Sequence, residues 1–382
     1  MVLSVISRLV SVWDAESPTT AGTDMSAENK ARRVVADAIA AAAFPAATVD
    51  VGTSGGTIWQ EALGALTFDD TSPPATIRTP FDLASLTKPI VTTSVIMQLA
   101  GGSHLRLDEP VASFFPEWRG PDRDRTTVQD LLEHASGLSA RLIDSPPRGR
   151  REFEHDICAM PLEYAPRTQS IYSDLGFILL GFAAADRGRT SLAAQFESIV
   201  RGLGHADSGP ATELAFELGA HARPLAAPTL PMDDDARVGR LLVGEVHDSY
   251  AAALGGIAGH AGLFGSAPAV GAFARAVLRA ARGGKSVAAP LSPALLARFL
   301  VRSTVPGSSR ALGWDTMLPT SSCGTRMSPS AFGHVGFTGT SLWIDPARDR
   351  YFVLLTNRAC GGGSLDQMRT VRRAFHDALG EV

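Results

Sequence analysis

An α/β (α+β) fold, with one layer of helix and sheet assembled from both chain ends around an inserted all-α subdomain, is what this 382-residue sequence predicts. Three observations carry that expectation. A helical pattern followed by an apolar strand pair opens the chain, a strand pair and a helix close it, and the stretch between consists of helical patterns broken by Pro/Gly-rich loops.

Taken in order, residues 1–24 read as a disordered extension or as sequence ahead of a start at Met25. Their short apolar run is interrupted by Arg8 and followed by Asp14 and Glu16, which argues against an export signal. Residues Ser26 to Ala43 form a helix pattern, and Ala47–Val51, Gly55-Gly56 and Thr57–Gly64 read as a β-hairpin. Ile90, Val91, Val95, Ile96 and Leu99 then repeat at helical spacing until Gly101-Gly102. Thr127 and Asp130 suit a capped helix start, Ser173 or Asp174 can cap Leu175–Ala185, and Ser266 can cap Ala269–Ala281. Ser341–Ile344 and Tyr351–Leu355 flank a five-residue turn, and Asp366–Leu379 is the closing helix. The expected division is an α/β domain from residues 25–80 and 286–382, and a mostly helical domain from 81–285 that carries the reactive residues.

Composition limits the function. At 45% hydrophobic and 19% charged, the chain can bury a large core as one or two domains. A net charge of −4 supplies no basic field for nucleic acid or anionic lipid, so a small molecule is the expected partner. No apolar run reaches membrane-spanning length, and cytoplasmic location is the expectation. Cys158, Cys323 and Cys360 are three, far apart and without metal-type spacing, so they read as buried or partly buried thiols.

Chemistry enters with Ser85-Leu86-Thr87-Lys88-Pro89. Pro89 marks a first helical turn, which puts Ser85 at the helix N-terminus and Lys88 one turn on, on the same face. Free N–H groups and the helix dipole favour negative charge on a serine there, and a lysine in a dry pocket can lose its proton and act as base. Lysine is scarce, with only Lys30, Lys88 and Lys285 in the chain, and only Lys88 has serine three positions earlier.

Two later segments turn the pair into a constellation: Tyr172-Ser173-Asp174 ahead of a helix, and His334-Val335-Gly336-Phe337 ahead of a strand. In order and spacing they resemble the serine β-lactamase and penicillin-binding-protein superfamily, whose members carry S-x-x-K, then Y-x-N or S-x-N, then K-T-G or H-x-G. The class C β-lactamase-like branch, including its carboxylesterases, is nearest. Leu131–Leu138, Gly244–Asp248, Gly255–Phe264 and Trp343–Pro346 look like this branch too, so the resemblance runs from about residue 26 to the C-terminus. It implies a β-lactamase/transpeptidase-like fold with an antiparallel sheet flanked by helices, and cofactor-free, metal-free acyl transfer from an ester or amide. By the same resemblance Ser85 is the nucleophile, Lys88 activates it, and Tyr172 shuttles a proton to the leaving group. The N–H groups of Ser85 and Phe337 would form the oxyanion hole, with Gly336 keeping the strand backbone open to substrate.

Two departures bear on mechanism. Asp174 stands where the family has asparagine, and a carboxylate there would favour the Lys88 ammonium and oppose its role as base. Either Tyr172 then carries more of that role, or Asp174 makes a structural pair. His334 replaces the usual lysine, removing a permanent cation that helps bind a substrate carboxylate and favouring uncharged esters or amides. Arg326 is a candidate to compensate.

Other signals are set aside. Gly52–Gly56 matches G-x-S-x-G but lies between strands and reads as a hairpin turn, and Gly284-Lys285-Ser286 reads as a helix C-cap. His134, His247, His260 and Asp248 sit in glycine-rich settings without metal-ligand spacing and read as hydrogen-bonding residues of the fold. Trp314 and Trp343 read as packing residues. The expected function is a serine hydrolase acting through acyl-Ser85, a carboxylesterase first. β-Lactamase or D-amino-acid peptidase activity, or a catalytically weak binding protein, are the alternatives.

Overall fold

The computed structural model describes residues 26–142, 146–207, 213–284 and 291–380. The expectations for residues 1–24, Met25, Lys285 and Ser286 lie outside the described residues. Helix α1 (Ala27–Ala40) begins where the Ser26 hydroxyl accepts the Asn29 N–H, and strands β1 (Ala46–Thr53) and β2 (Gly56–Gly64) follow as an antiparallel hairpin. Ser54 and Gly55 are its loop, and Ser54 donates from both N–H and hydroxyl to the Asp349 carboxylate. The G-x-S-x-G segment is therefore a turn, as expected.

Strand β3 (Phe81–Asp82) leads into helix α2 (Ser94–Gly101), and α3 (Val128–Leu132), α4 (Arg150–Ala159), α5 (Asp174–Gly188), α6 (Leu192–Asp207) and α7 (Ser249–Ala253) complete the helical middle. Thr127 and Asp130 make a reciprocal capping box on α3, and Ser173 caps α5. Strand β4 (Phe264–Gly265) pairs with β3, then come α8 (Ala267–Ala281), capped by Ser266, and α9 (Pro293–Phe299). Strands β5 (Asp315–Thr316), β6 (Phe332–Val335), β7 (Ser341–Asp345) and β8 (Arg350–Thr356) and helix α10 (Leu365–Leu379) end the chain.

The main sheet is antiparallel with order β2-β1-β8-β7-β6-β5, so the first hairpin and the last strands form one layer. Both faces are covered, which is why these strands are apolar on both sides. Val49, Val51, Trp343, Phe352 and Leu354 face α1 and α10, whereas Leu342, Ile344, Tyr351, Val353 and Leu355 join the larger core under α8 and the helical middle. Each such side chain contributes about 1.5–3 kcal/mol by leaving water. Helix α8 precedes the anticipated boundary at residue 286, yet it lies on β8 and β1 and belongs to the sheet layer.

Trp314 and Trp343 are buried, as are the free thiols of Cys158, Cys323 and Cys360, in line with expectation. Gly284 returns its N–H to the Arg279 carbonyl at the end of α8. Among the described residues no helix is long and apolar enough to cross a membrane.

Candidate active site

The β3–α2 junction builds the nucleophile turn. One Asp82 carboxylate oxygen accepts the Ala84 N–H at 2.8 Å and the other the His247 N–H at 2.6 Å. Burial pushes this carboxyl up to about 6 against those two bonds. The anchor holds Ala84 at φ +47°, a left-handed backbone rare for a residue with a Cβ, immediately before Ser85. The helix differs from expectation in its first turns. A 3-10 turn over Ala84–Leu86 is followed by a wide π-type turn over Lys88–Thr93, and α-geometry begins only at Ser94. Pro89 supplies the reason: an α-helix would return its N–H to the Ser85 carbonyl, and proline has none.

Ser85, Lys88, Tyr172 and Asp174 converge on this turn. The Ser85 hydroxyl oxygen accepts from the Tyr172 phenol at 2.7 Å and from Lys88 Nζ at 3.1 Å. Lys88, fully buried, also donates to the Asp174 carboxylate at 2.7 Å and to the His260 carbonyl at 3.1 Å. Burial opposes its charge, but Asp174 and the Tyr172 oxygen outweigh burial and hold Lys88 above its ordinary range. Of the two expectations for Lys88, the neutral base of a dry pocket and the ammonium that a carboxylate at 174 favours, this pairing supports the second. Burial and then Asp174 push Tyr172 up, while Lys88 pulls it down, so the phenol carries its proton at neutral pH.

Asp174 belongs to a closed circuit. Its second oxygen accepts from Arg141 NH1 at 3.2 Å, the same nitrogen donates to Asp248 at 2.7 Å, and Asp248 meets His260 Nε2 at 2.8 Å. The His260 carbonyl then returns to Lys88. The ligand atoms of Asp174, Asp248 and His260 lie within 4.8 Å of one another, but Lys88, Arg141 and the imidazole already engage the carboxylate oxygens. Burial would raise Asp174, yet Lys88 and His260 leave it below its ordinary value.

The β6–β7 turn forms the opposite wall. The Gly336 N–H donates to the Thr340 carbonyl at 2.9 Å, and a Cβ at 336 would lie 2.6 Å from the Leu83 carbonyl and 2.2 Å from Thr340 Oγ1. Only glycine lets this turn rest on the nucleophile turn. Gly336→Ala is expected to lower the rate of fluorophosphonate labelling at Ser85 at least about ten-fold by pushing the turn outward. Labelling at the wild-type rate would show that the turn does not govern the site. Phe337 is partly exposed, between the stacked ring of His247 at 5.2 Å and the Arg358 guanidinium at 4.6 Å. His334 is buried and neutral, held well below its ordinary value by burial and then by the Arg310 and Lys88 charges. Its Nδ1 meets the Val335 carbonyl at 2.8 Å, and its Nε2 has no hydrogen-bond partner among the described residues.

Around the centre lie one histidine expected to hydrogen-bond within the fold and two arginines, Arg141 and Arg310, that the sequence does not single out. His134, at φ +54°, accepts the Ser173 N–H at Nδ1 and lies 4.8 Å from the Tyr172 ring, so it steadies the tyrosine. Arg141 closes the charge circuit. The Arg310 guanidinium sits 5.4 Å from the Tyr172 ring centroid, whereas Arg326 lies at the C-terminal end of α10 against Gly380. In place of the candidate Arg326, the arginine beside Tyr172 is Arg310. Its only signal in the sequence is an arginine in a loop, which carries no register.

The chain resembles known proteins over most of its length. The sequence model of the Beta-lactamase family matches residues 31–376. A protein of Escherichia coli (strain K12), provisionally named D-alanyl-D-alanine carboxypeptidase, is 28% identical over 395 aligned residues, spanning 93% of this chain and 88% of that protein. Among solved structures, a class C beta lactamase from Rhodobacter sphaeroides matches with a TM-score of 0.72 at 18% identity, covering 92% of this chain and 99% of the other. D-alanine carboxypeptidase AmpC from Burkholderia cenocepacia gives 0.69 at 18% identity, with 93% and 98% covered. EstCE1, a hydrolase with promiscuous acyltransferase activity, gives 0.70 at 21% identity, with 92% and 98% covered. At these identities the structural likeness speaks for the fold, and the antiparallel sheet flanked by helices is as expected.

Proposed function

The chain belongs to the beta-lactamase family as a serine hydrolase, and from that premise we propose that it cleaves an amide or ester whose leaving group carries a carboxylate, as a D-amino-acid carboxypeptidase does. The carrying observation is Arg310, a half-buried guanidinium over Tyr172 that makes no ion pair among the described residues. The name given to the Escherichia coli relative supports the same reading. In this scheme the Lys88–Tyr172 pair first gives up one proton to solvent, against the burial and the Asp174 charge that hold Tyr172 above its ordinary value; Ser85 Oγ then bonds to the substrate carbonyl carbon as its proton passes to the Tyr172 oxygen. Tyr172 returns the proton to the leaving nitrogen or oxygen as that bond breaks. Water then enters by the same route and frees Ser85. The N–H groups of Ser85 and Phe337 receive the carbonyl oxygen.

A second reading, a carboxylesterase for small uncharged esters, is favoured by His334, which is neutral where the family motif has lysine. Turnover of an N-acylated peptide ending in D-Ala-D-Ala, measured beside p-nitrophenyl acetate, separates the two. Arg310→Gln is expected to raise KM for the peptide about 10–100-fold, the worth of a charge-assisted hydrogen bond, and to leave the neutral ester within about two-fold. Ester turnover with no peptide cleavage by the wild type would put the esterase reading in its place.

A further inference from the structure

Helix α10 directs a buried cation at the back of the β6–β7 turn. Arg372 is 6% exposed and donates through NH2 to the Gly336 carbonyl at 2.6 Å and the Thr340 carbonyl at 2.9 Å, while its Nε has no partner among the described residues. No carboxylate pairs with it among the described residues. Burial, followed by the charges of Arg358 and Arg369, pulls it down to about 9, so it remains protonated at neutral pH. One turn further along α10, His376 Nε2 meets the Ser341 hydroxyl at 2.9 Å. Arg358, also buried, donates to the Phe337 carbonyl at 2.8 and 3.2 Å.

A buried charge without a counter-ion is costly, and an apolar side chain at 372 would serve packing better. What the charge touches explains its presence. The Gly336 carbonyl and the Phe337 N–H belong to one peptide plane, and in a trans peptide they point in opposite directions. A carbonyl directed back at Arg372 therefore directs the Phe337 N–H away from α10, to the side where the nucleophile turn meets Gly336. A cation on the carbonyl also polarises that peptide and strengthens its N–H as a donor.

We propose that Arg372 is a positioning residue for acyl transfer: held against the Gly336 carbonyl, its charge orients and polarises the peptide whose Phe337 N–H receives the negative charge developing on the substrate's carbonyl oxygen. This rests on the acyl-transfer reading above and is independent of the leaving-group preference assigned to Arg310. The test therefore uses p-nitrophenyl acetate, which has no carboxylate, and phenylboronic acid, whose tetrahedral serine adduct places an anionic oxygen on the same N–H.

Arg372→Gln keeps a hydrogen-bond donor and removes the charge, and Arg372→Lys keeps the charge. The glutamine variant is expected to lose kcat about 10–100-fold with KM within about two-fold, and to bind phenylboronic acid more weakly by the factor lost in kcat/KM. The lysine variant should stay within about five-fold of wild type on both measures. If Arg372→Gln melts below the assay temperature, the lysine variant decides, because boronate affinity and kcat/KM must move together in it. Wild-type kcat in the glutamine variant, a loss confined to KM, or equal losses in both variants would overturn the inference. A wild-type protein that neither hydrolyses the ester nor takes fluorophosphonate label would instead overturn the acyl-transfer reading itself.

Discussion

Ser85→Ala is expected to remove acyl transfer almost completely, with kcat/KM for p-nitrophenyl acetate falling on the order of 10⁴-fold or more and fluorophosphonate labelling lost. The magnitude follows from how nucleophile and proton carrier act as one unit, so that removing the nucleophile leaves only binding and oxyanion stabilisation. Two donors, Tyr172 and Lys88, converge on this oxygen. The fold should persist, because Ser85 is half-buried and its turn is held by the Asp82 and Thr87 bonds and not by its own side chain. Melting within a few degrees of wild type, or higher, is the expected companion result, since strained active-site residues often lower stability. Labelling that survives the substitution would place the nucleophile elsewhere.

Asp174→Asn is expected to move the rising limb of the kcat/KM against pH profile to lower pH and to increase the rate at neutral pH. The reactive state needs one proton fewer on the Lys88–Tyr172 pair, and the Asp174 charge raises both groups. Asparagine preserves an acceptor for Lys88 and removes that charge. A limb that stays in place, or moves to higher pH, would sink this account of Asp174. Stability should change in the opposite sense. Lys88 lies above its ordinary 10.5 and Asp174 below its ordinary 3.8, so the pair's contribution is complete between those values. It is lost as pH rises through the folded value of Lys88 and as pH falls through that of Asp174. Breaking a buried pair costs roughly 3–5 kcal/mol, and the loss here should be smaller because Lys88 can shed its proton. Melting curves near pH 7 would measure it.

The reactive line of residues was legible because it is written locally. Serine and lysine three apart, a tyrosine before a capped helix and a glycine at a strand end are patterns whose spacing is itself the geometry. The hairpins were legible for the same reason, since alternation and turn residues fix them. The helix start departs from its sequence pattern because Pro89, though tolerated at a first turn, denies the Ser85 carbonyl its α-helical bond. Arg141, Arg310 and Arg372 could not be found in this way. Each acts on the site from a separate segment, across a distance set by tertiary packing, and one arginine among many carries no mark of its partner. The set-aside histidines fall between these cases: His134 and His260 do belong to fold-type hydrogen bonding, as expected, but that bonding is what holds Tyr172 and Asp248.

The closed circuit through Lys88, Asp174, Arg141, Asp248 and His260 has a consequence for when the enzyme becomes an enzyme. Its members come from five stretches of chain, and the turn opposite is braced from a sixth, near residue 372. Lys88 reaches Ser85 from within the nucleophile segment, but Tyr172 and the charges that set the protonation of Lys88 come from elsewhere in the chain, so a growing chain should stay inert until its last helix docks, which makes covalent labelling of Ser85 a clock for the final step of folding.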